Sequence, residues 1–250
     1  MGYGFNVGAM YQITDKLQVG LRYLSKVRME IDGGDADFND FQPLFSDLEP
    51  PIVQNFDTPD TMNSFSSSLP LPSKTSLGIS YEFSDDFRMG LDVTYVGWGA
   101  YDSLIIEFEN KEEFEAAGNA TSFPPDSREP RHYDNTFIVK LGGEYDVSDV
   151  LTIRAGLSYD QTPIQRNLYT PETPDNDKLG ASVGISVSPT DWLTIDGSFA
   201  YLYGIEQEFS YEPSSDVSGL YSDHPYDGNT FRGKMKTDVF LPGLGVTMKF

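Results

Sequence analysis

The sequence predicts an all-β chain, an antiparallel transmembrane β-barrel. Three observations predict it: two-faced segments that recur along the whole chain, a strict alternation of short and long connections, and a segment count that cannot close on itself. Leu17–Met29 shows the first most plainly. Leu17, Val19, Leu21, Tyr23, Val27 and Met29 alternate with Gln18, Gly20, Arg22, Lys26 and Arg28. A period of two over that length belongs to a strand and not to a helix. No run of about 18 apolar residues occurs, so no transmembrane helix is expected. A barrel escapes such a window because only alternate side chains face lipid.

Nine segments follow this pattern. The first, 4–12, carries Phe5, Val7, Ala9 and Tyr11 on one face, and the second is 17–29. The third, 74–83, presents Leu77, Ile79, Tyr81 and Phe83. The fourth, 87–107, sets Met89, Leu91, Val93 and Tyr95 against Arg88, Asp92 and Thr94. The fifth is 135–145. The sixth, 150–160, sets Leu151, Ile153, Leu157 and Tyr159 against Thr152, Arg154, Ser158 and Asp160. The seventh is 178–187 and the eighth 192–208. The ninth, 236–250, ends on Leu244, Val246, Met248 and Phe250 against Gly245, Thr247 and Lys249.

Short turns near residues 14, 85, 147 and 189 alternate with long loops at 30–73, 108–134, 161–177 and 209–235. One tight rim and one elaborate rim are the asymmetry of an outer-membrane barrel. Residues 30–73 hold nine Asp or Glu and no Lys or Arg, so much of the net charge of -22 belongs to the outer side. That charge excludes the basic footprint of a nucleic-acid binder. The absence of cysteine excludes disulfide and thiol chemistry. Fifteen Tyr and 17 Phe suit strands and aromatic girdles, with Tyr11, Tyr81, Phe83, Tyr101, Tyr145 and Tyr203 placed near strand ends.

With short turns on the inner rim, the first and ninth strands run the same way. Closing them together makes a parallel pair, whereas single-chain bacterial barrels are antiparallel and even-numbered. An open sheet leaves unpaired amides in lipid at several kcal/mol each. Further strands are therefore expected outside these 250 residues. Met1–Phe5 has neither the basic region nor the apolar core of a signal peptide.

Four stretches resemble the FadL family of outer-membrane transporters: Gly2–Val27, Leu71–Tyr81 (LPSKTSLGISY), Asp92–Leu104 (DVTYVGWGAYDSL) and Leu151–Asp177. The most specific parts are Ser25-Lys26, the segment around Trp98, and the loop from Tyr159-Asp160-x-Thr162-Pro163 to Pro174-Asp175-Asn176-Asp177. The family pattern usually follows that motif with Arg, and here Lys178 keeps the charge without the bidentate fork. The resemblance implies a barrel of about fourteen strands with an N-terminal hatch. On that reading residues 1–250 are one partial barrel domain, the C-terminal nine strands, with hatch and first strands missing. It implies a multi-pass protein of the Gram-negative cell outer membrane. It also implies passive transport of long-chain fatty acids or other hydrophobic compounds, with no cofactor. The terminal Phe250 resembles the strand-end aromatic that the barrel assembly machinery reads. Outer-membrane lipid is the remaining partner. The alternative is a structural or adhesive barrel with acidic surface loops.

Phe41, Leu44, Phe45 and Leu48 fall at i, i+3, i+4 and i+7, and Ile52, Val53 and Phe56 follow beyond Pro50-Pro51. By family analogy this apolar stripe is a wall of the groove that first captures ligand; otherwise it packs under its own loop. Lys26 and Arg28, near the outer end of the second strand, are candidates to hold a fatty-acid carboxylate. The inner charges, Arg22, Lys26, Arg28, Glu82, Arg88, Asp92, Lys140, Glu144, Arg154, Asp160 and Asp196, otherwise form a cross-strand network. Asp35, Asp37 and Asn39 have the spacing of a calcium loop, but Asp40 and Ser46 stand where its Gly and Glu are needed, so no metal is expected. His132 and His224 both fall in outer loops and no G-x-S-x-G occurs, so no enzyme is expected.

Overall fold

The computed structural model describes residues 1–35, 64–108, 126–169, 173–211 and 231–249. In chain order the strands are β1 (Asn6–Thr14), β2 (Leu17–Leu24), β3 (Val27–Asp35), β4 (Ser64–Leu71), β5 (Lys74–Ser84), β6 (Phe87–Val96), β7 (Ser103–Phe108) and β8 (Asp126–Pro130). There follow β9 (Thr136–Ser148), β10 (Leu151–Asp160), β11 (Lys178–Thr190), β12 (Leu193–Gly204), β13 (Gln207–Tyr211), β14 (Phe231–Met235) and β15 (Asp238–Met248). One nine-stranded sheet, β1-β2-β5-β6-β9-β10-β11-β12-β15, forms the wall, with each neighbour antiparallel and β1 and β15 at its two open edges. The sheets β3-β4-β7-β8 and β13-β14 stand on its outer end as a rim.

Register makes the two faces of the wall explicit. Tyr11, Val19, Ile79, Leu91, Leu141, Leu157, Ala181, Tyr201 and Phe240 lie side by side across all nine strands. This row and its neighbours stay open to the surroundings: Leu91 is 39% exposed, Ile153 43% and Leu157 62%. Aromatics bracket the apolar band. Tyr81, Phe83, Phe87 and Tyr145 touch in series on the inner side, with centroids 4.8–6.3 Å apart. Tyr95 and Phe137 meet at 5.3 Å on the outer side. From Phe137 to Tyr145 is eight residues, about 20 Å of membrane depth for a strand tilted by about 40°. That matches the apolar band of an outer-membrane barrel.

The four short turns are two residues each: Asp15-Lys16, Asp85-Asp86, Asp149-Val150 and Asp191-Trp192. Asp, a residue favoured in turns, opens every one, and in the first the Thr14 hydroxyl accepts the Lys16 and Leu17 N–H at 3.3 and 3.0 Å. Each hairpin carries a register shift beside its turn. Among the described residues only His132 and Gly33 have positive φ, so no left-handed residue supplies the turn twist. The neighbouring bulge takes it up instead.

Three expected strands are each broken in two. Segment 17–29 is β2 and β3, parted at Ser25-Lys26. Segment 87–107 is β6 and β7, parted by a single 3₁₀ turn at Trp98–Ala100. Segment 192–208 runs from β12 into β13, parted at Ile205-Glu206, whereas segment 236–250 holds β15 unbroken. The causes are local bonds that alternation does not register. Ser25 is buried; its N–H donates to Phe5 O at 2.9 Å, and its hydroxyl accepts the Phe5 N–H at 2.9 Å. A Cβ on Gly4 would sit 2.4 Å from Val27 Cγ2, so only glycine lets the N-terminal segment pass this corner. Gly97 N–H donates to Ser73 O at 2.9 Å and Gly99 N–H to Asn135 Oδ1 at 2.9 Å, which turns β6 out of the wall.

Candidate functional site

The inner face of the wall has a band without bulk. Ser80, Gly90, Gly142, Gly156, Ser182 and Ala200 are register neighbours across six strands. Large side chains on this row would fill the space that two contiguous hollows occupy, of about 1070 and 830 Å³. Both hollows are lined by Ser80, Gly90, Asp92 and Lys140. The sequence signal for this band is a glycine, serine or alanine midway along the non-apolar face of each of these segments, which alternation alone does not single out.

Charges flank the band at both ends. Toward the outside, Arg22, Lys74 and Lys140 line the larger hollow together with the single carboxylate of Asp92. Arg22 Nε donates to Asn6 Oδ1 at 3.0 Å. Toward the inner rim, Glu144 accepts from Arg88 at 2.7 Å and from Arg154 at 2.5 Å. Arg154 also donates to the Ser186 hydroxyl, which donates to Asp196. This chain of bonds crosses β6, β9, β10, β11 and β12 and ties five strands together across the inner face. It is the cross-strand network expected from the inner charges.

The rim above the wall is built differently. Tyr101, Tyr133, Ile164 and Tyr169 are buried together, with Leu69, Trp98, Leu104, Phe209 and Met235 packed against them. Tyr133 meets Trp98 and Tyr101 edge-on at 5.9 and 5.1 Å, and Tyr169 stacks on Phe209 at 3.9 Å. The Tyr169 hydroxyl donates to Met235 Sδ at 3.0 Å. Burial, then the nearby Asp175 carboxylate, push the Tyr169 phenol above its ordinary range. Tyr101, expected in an interface girdle, is instead only 8% exposed in this cluster. The 3₁₀ turn after β6 carries it away from the lipid face.

The motif loop pins this cluster to the wall. Asp177 accepts from the Tyr159 hydroxyl and from Thr162 N–H, both at 2.8 Å, and its carbonyl accepts Ile205 N–H at 2.7 Å. Asn176 is fully buried and donates to Ile205 O at 3.2 Å. A Cβ on Gly204 would meet the Asn176 amide at 2.4 Å, so the two residues are matched. Lys178 bonds Asp175 and donates to Asn176 O at 3.0 Å, a task for which a point charge suffices. Opposite, His132, at φ 42°, meets Asp102 Oδ1 through Nδ1 at 2.6 Å.

Of the sequence candidates, Lys26 sits in the β2–β3 break and Arg28 in the rim strand β3, both exposed. They stand above the inner hollows and line neither of them. Phe41, Leu44, Phe45, Leu48, Ile52, Val53, Phe56, His224 and Phe250 lie outside the described residues, as does most of the calcium-like loop. Among the described residues no group of three His, Asp or Glu is placed to hold a metal ion.

Comparison with known proteins places this architecture. The chain is 28% identical over 209 residues to outer membrane protein P1 of Haemophilus influenzae, covering 83% of this chain and 39% of that protein. It is 22% identical over 209 residues to a long-chain fatty acid transport protein of Escherichia coli O6:H1, covering 84% of this chain and 44% of that one. The chain thus spans about two fifths of the curated relatives it matches. In fold it is similar to the crystal structure of a Pseudomonas aeruginosa FadL homologue, with TM-score 0.71 and 23% identity, covering 98% of this chain and 52% of that chain. The match to the family described as outer membrane protein transport protein (OMPP1/FadL/TodX) runs over residues 1–250, and the chain belongs to that family.

Proposed function

We propose that this chain supplies part of the wall of an outer-membrane channel through which hydrophobic compounds, long-chain fatty acids among them, diffuse passively. The observation that carries the reading is the small-residue band on the inner face, set within hollows of about 1070 and 830 Å³. It leaves room for an apolar passenger beside a wall whose other face is committed to lipid. An acyl tail is captured first at Phe41, Leu44, Phe45, Leu48, Ile52, Val53 and Phe56. Lys26 and Arg28, exposed at the outer end, receive the carboxylate, and Arg22, Lys74 and Lys140 take it over inside. Residues 1–250 act as one barrel domain, and Phe250 is the signal for the assembly machinery. The long-chain fatty acid transport protein among its relatives supports the acyl substrate.

The test is uptake of a labelled long-chain fatty acid by cells carrying the complete gene in place of their own transporter. Gly90→Leu and Gly142→Leu fill the hollow without straining the wall, since a Cβ at either site meets only ordinary contacts at 3.6–3.7 Å. Uptake is expected to fall roughly tenfold while the barrel folds normally. Unchanged uptake in both variants refutes the inner path. Absence of uptake by the unmodified protein leaves the structural or adhesive barrel.

A further inference from the structure

A second site lies on the rim, away from the inner face. The β13–β14 hairpin packs Phe209 and Met235 onto the aromatic cluster. Its other face carries Glu208, Ser210, Arg232 and Lys234, with Ser210 opposite Arg232 and Glu208 opposite Lys234. The loop after β10 closes against it, because Ser210 N–H donates to Arg166 O at 3.3 Å. Arg166, Ser210, Arg232 and Lys234 therefore line one hollow of about 510 Å³ together with the Glu208 carboxylate.

The charges in this hollow are unevenly satisfied. Lys234 is held by Glu208 at 2.8 Å and Glu206 at 3.2 Å. Arg166 and Arg232 are exposed and make no side-chain ion pair among the described residues. The chain has only 17 Lys and Arg against 39 Asp and Glu, yet two guanidinium groups line this hollow; Glu208, held by Lys234, acts on Arg166 only through space, and among the described residues no carboxylate is bonded to either. Two planar forks beside a hydroxyl are the donor set that suits a tetrahedral oxyanion.

We propose that Arg166, Arg232 and Ser210 bind a phosphate group carried by an outer-leaflet glycolipid. Position argues for that source. Tyr201, Tyr203 and Phe240 mark the outer aromatic belt on this side, and Lys236 lies over the Tyr203 ring at 5.5 Å. From Tyr203 to Glu208 is five residues across the break between β12 and β13, at most about 17 Å of chain. The polar layer of a simple bilayer extends only about 5–7 Å beyond its hydrocarbon. The hollow stands on the rim beyond that aromatic belt, where a headgroup that projects past the simple bilayer, as a phosphorylated sugar does, can present its phosphate. Two arginines and a lysine against the single Glu208 carboxylate also leave this hollow net positive on a net acidic chain, which attracts such an anion.

The complete gene product, folded in detergent, is titrated with phosphorylated lipopolysaccharide, with the same lipid after enzymatic dephosphorylation, with phosphatidylglycerol micelles and with inorganic phosphate. The phosphorylated glycolipid should bind roughly tenfold tighter than its dephosphorylated form, and the difference should shrink as salt rises. The double variant Arg166→Gln with Arg232→Gln should erase the difference, and the double lysine variant should restore part of it. Heat-modifiable mobility confirms that each variant is folded. A full phosphate preference in the glutamine variant overturns the site. Equal binding of phosphatidylglycerol, or of inorganic phosphate alone, overturns the glycolipid source.

Discussion

The wall and the rim of this molecule bury opposite things. In the wall, large apolar side chains face outward and stay exposed, while the inner face carries glycine, serine and ion pairs. In the rim, the order reverses: Tyr101, Tyr133, Ile164 and Tyr169 gather out of contact with the surroundings. Among the described residues the buried hydrophobics are these four and Val96, the last residue of β6. None lies in the middle of a wall strand. The difference teaches where each part finds its solvent. The wall is solvated by hydrocarbon and needs no core of its own, whereas the rim stands in water and must build one.

The sharpest way to break this comparison is to place a charge in the wall. Leu157→Arg should cost about 2–4 kcal/mol near the membrane midplane and abolish the heat-modifiable folded band. Ser80→Arg, on the inner face, should cost less than about 1 kcal/mol. Equal effects would mean the faces are assigned wrongly. Next in size, Tyr169→Ala should cost about 2 kcal/mol, at or below the low end for an aromatic truncation because the cluster is small and can close up. Limited proteolysis should show the loss confined to the rim. Glu144→Gln should cost about 1 kcal/mol, because its arginine partners are half exposed. It should speed unfolding in urea without moving any outward residue.

The smallest effect is pH dependence. Burial keeps Tyr169 neutral and raises its folded value above the ordinary one near 10. A group raised in this way contributes stability in full below about pH 10, and loses it as pH rises through the folded value. Protease sensitivity near Tyr169 should therefore appear above about pH 10 while the wall stays folded. Sensitivity that instead appears at acid pH would place the control in another group.

Much of the wall was legible because a lipid-facing strand must alternate, and alternation survives in sequence. Rows such as Leu91–Leu141–Leu157 follow directly from it. The breaks at Ser25, Gly97 and Ile205 were not legible, since the apolar period runs on through them while hydrogen bonds to distant residues bend the chain. The rim cluster was hidden for a related reason. Its members come from β4, β7, β13, β14 and three connecting segments, and no window of sequence holds them together. Tyr101 resembled a girdle residue until its turn was seen. Alternation makes Lys26 and Arg28 inner charges only on an unbroken second strand, and the break at Ser25-Lys26 lifts both onto the rim.

The two-residue inner turns have a consequence for how this protein tolerates change. A hairpin joined by Asp149-Val150 has no slack, so one added amino acid there must displace β9 against β10 by a single step. Such a step exchanges the sides of every residue on the shifted strand. Lys140 and Glu144 would then be pushed into acyl chains while Leu141 and Tyr145 swung into the passage. Insertions should therefore be tolerated in the long outer connections, whereas an epitope grafted at a two-residue turn should block assembly.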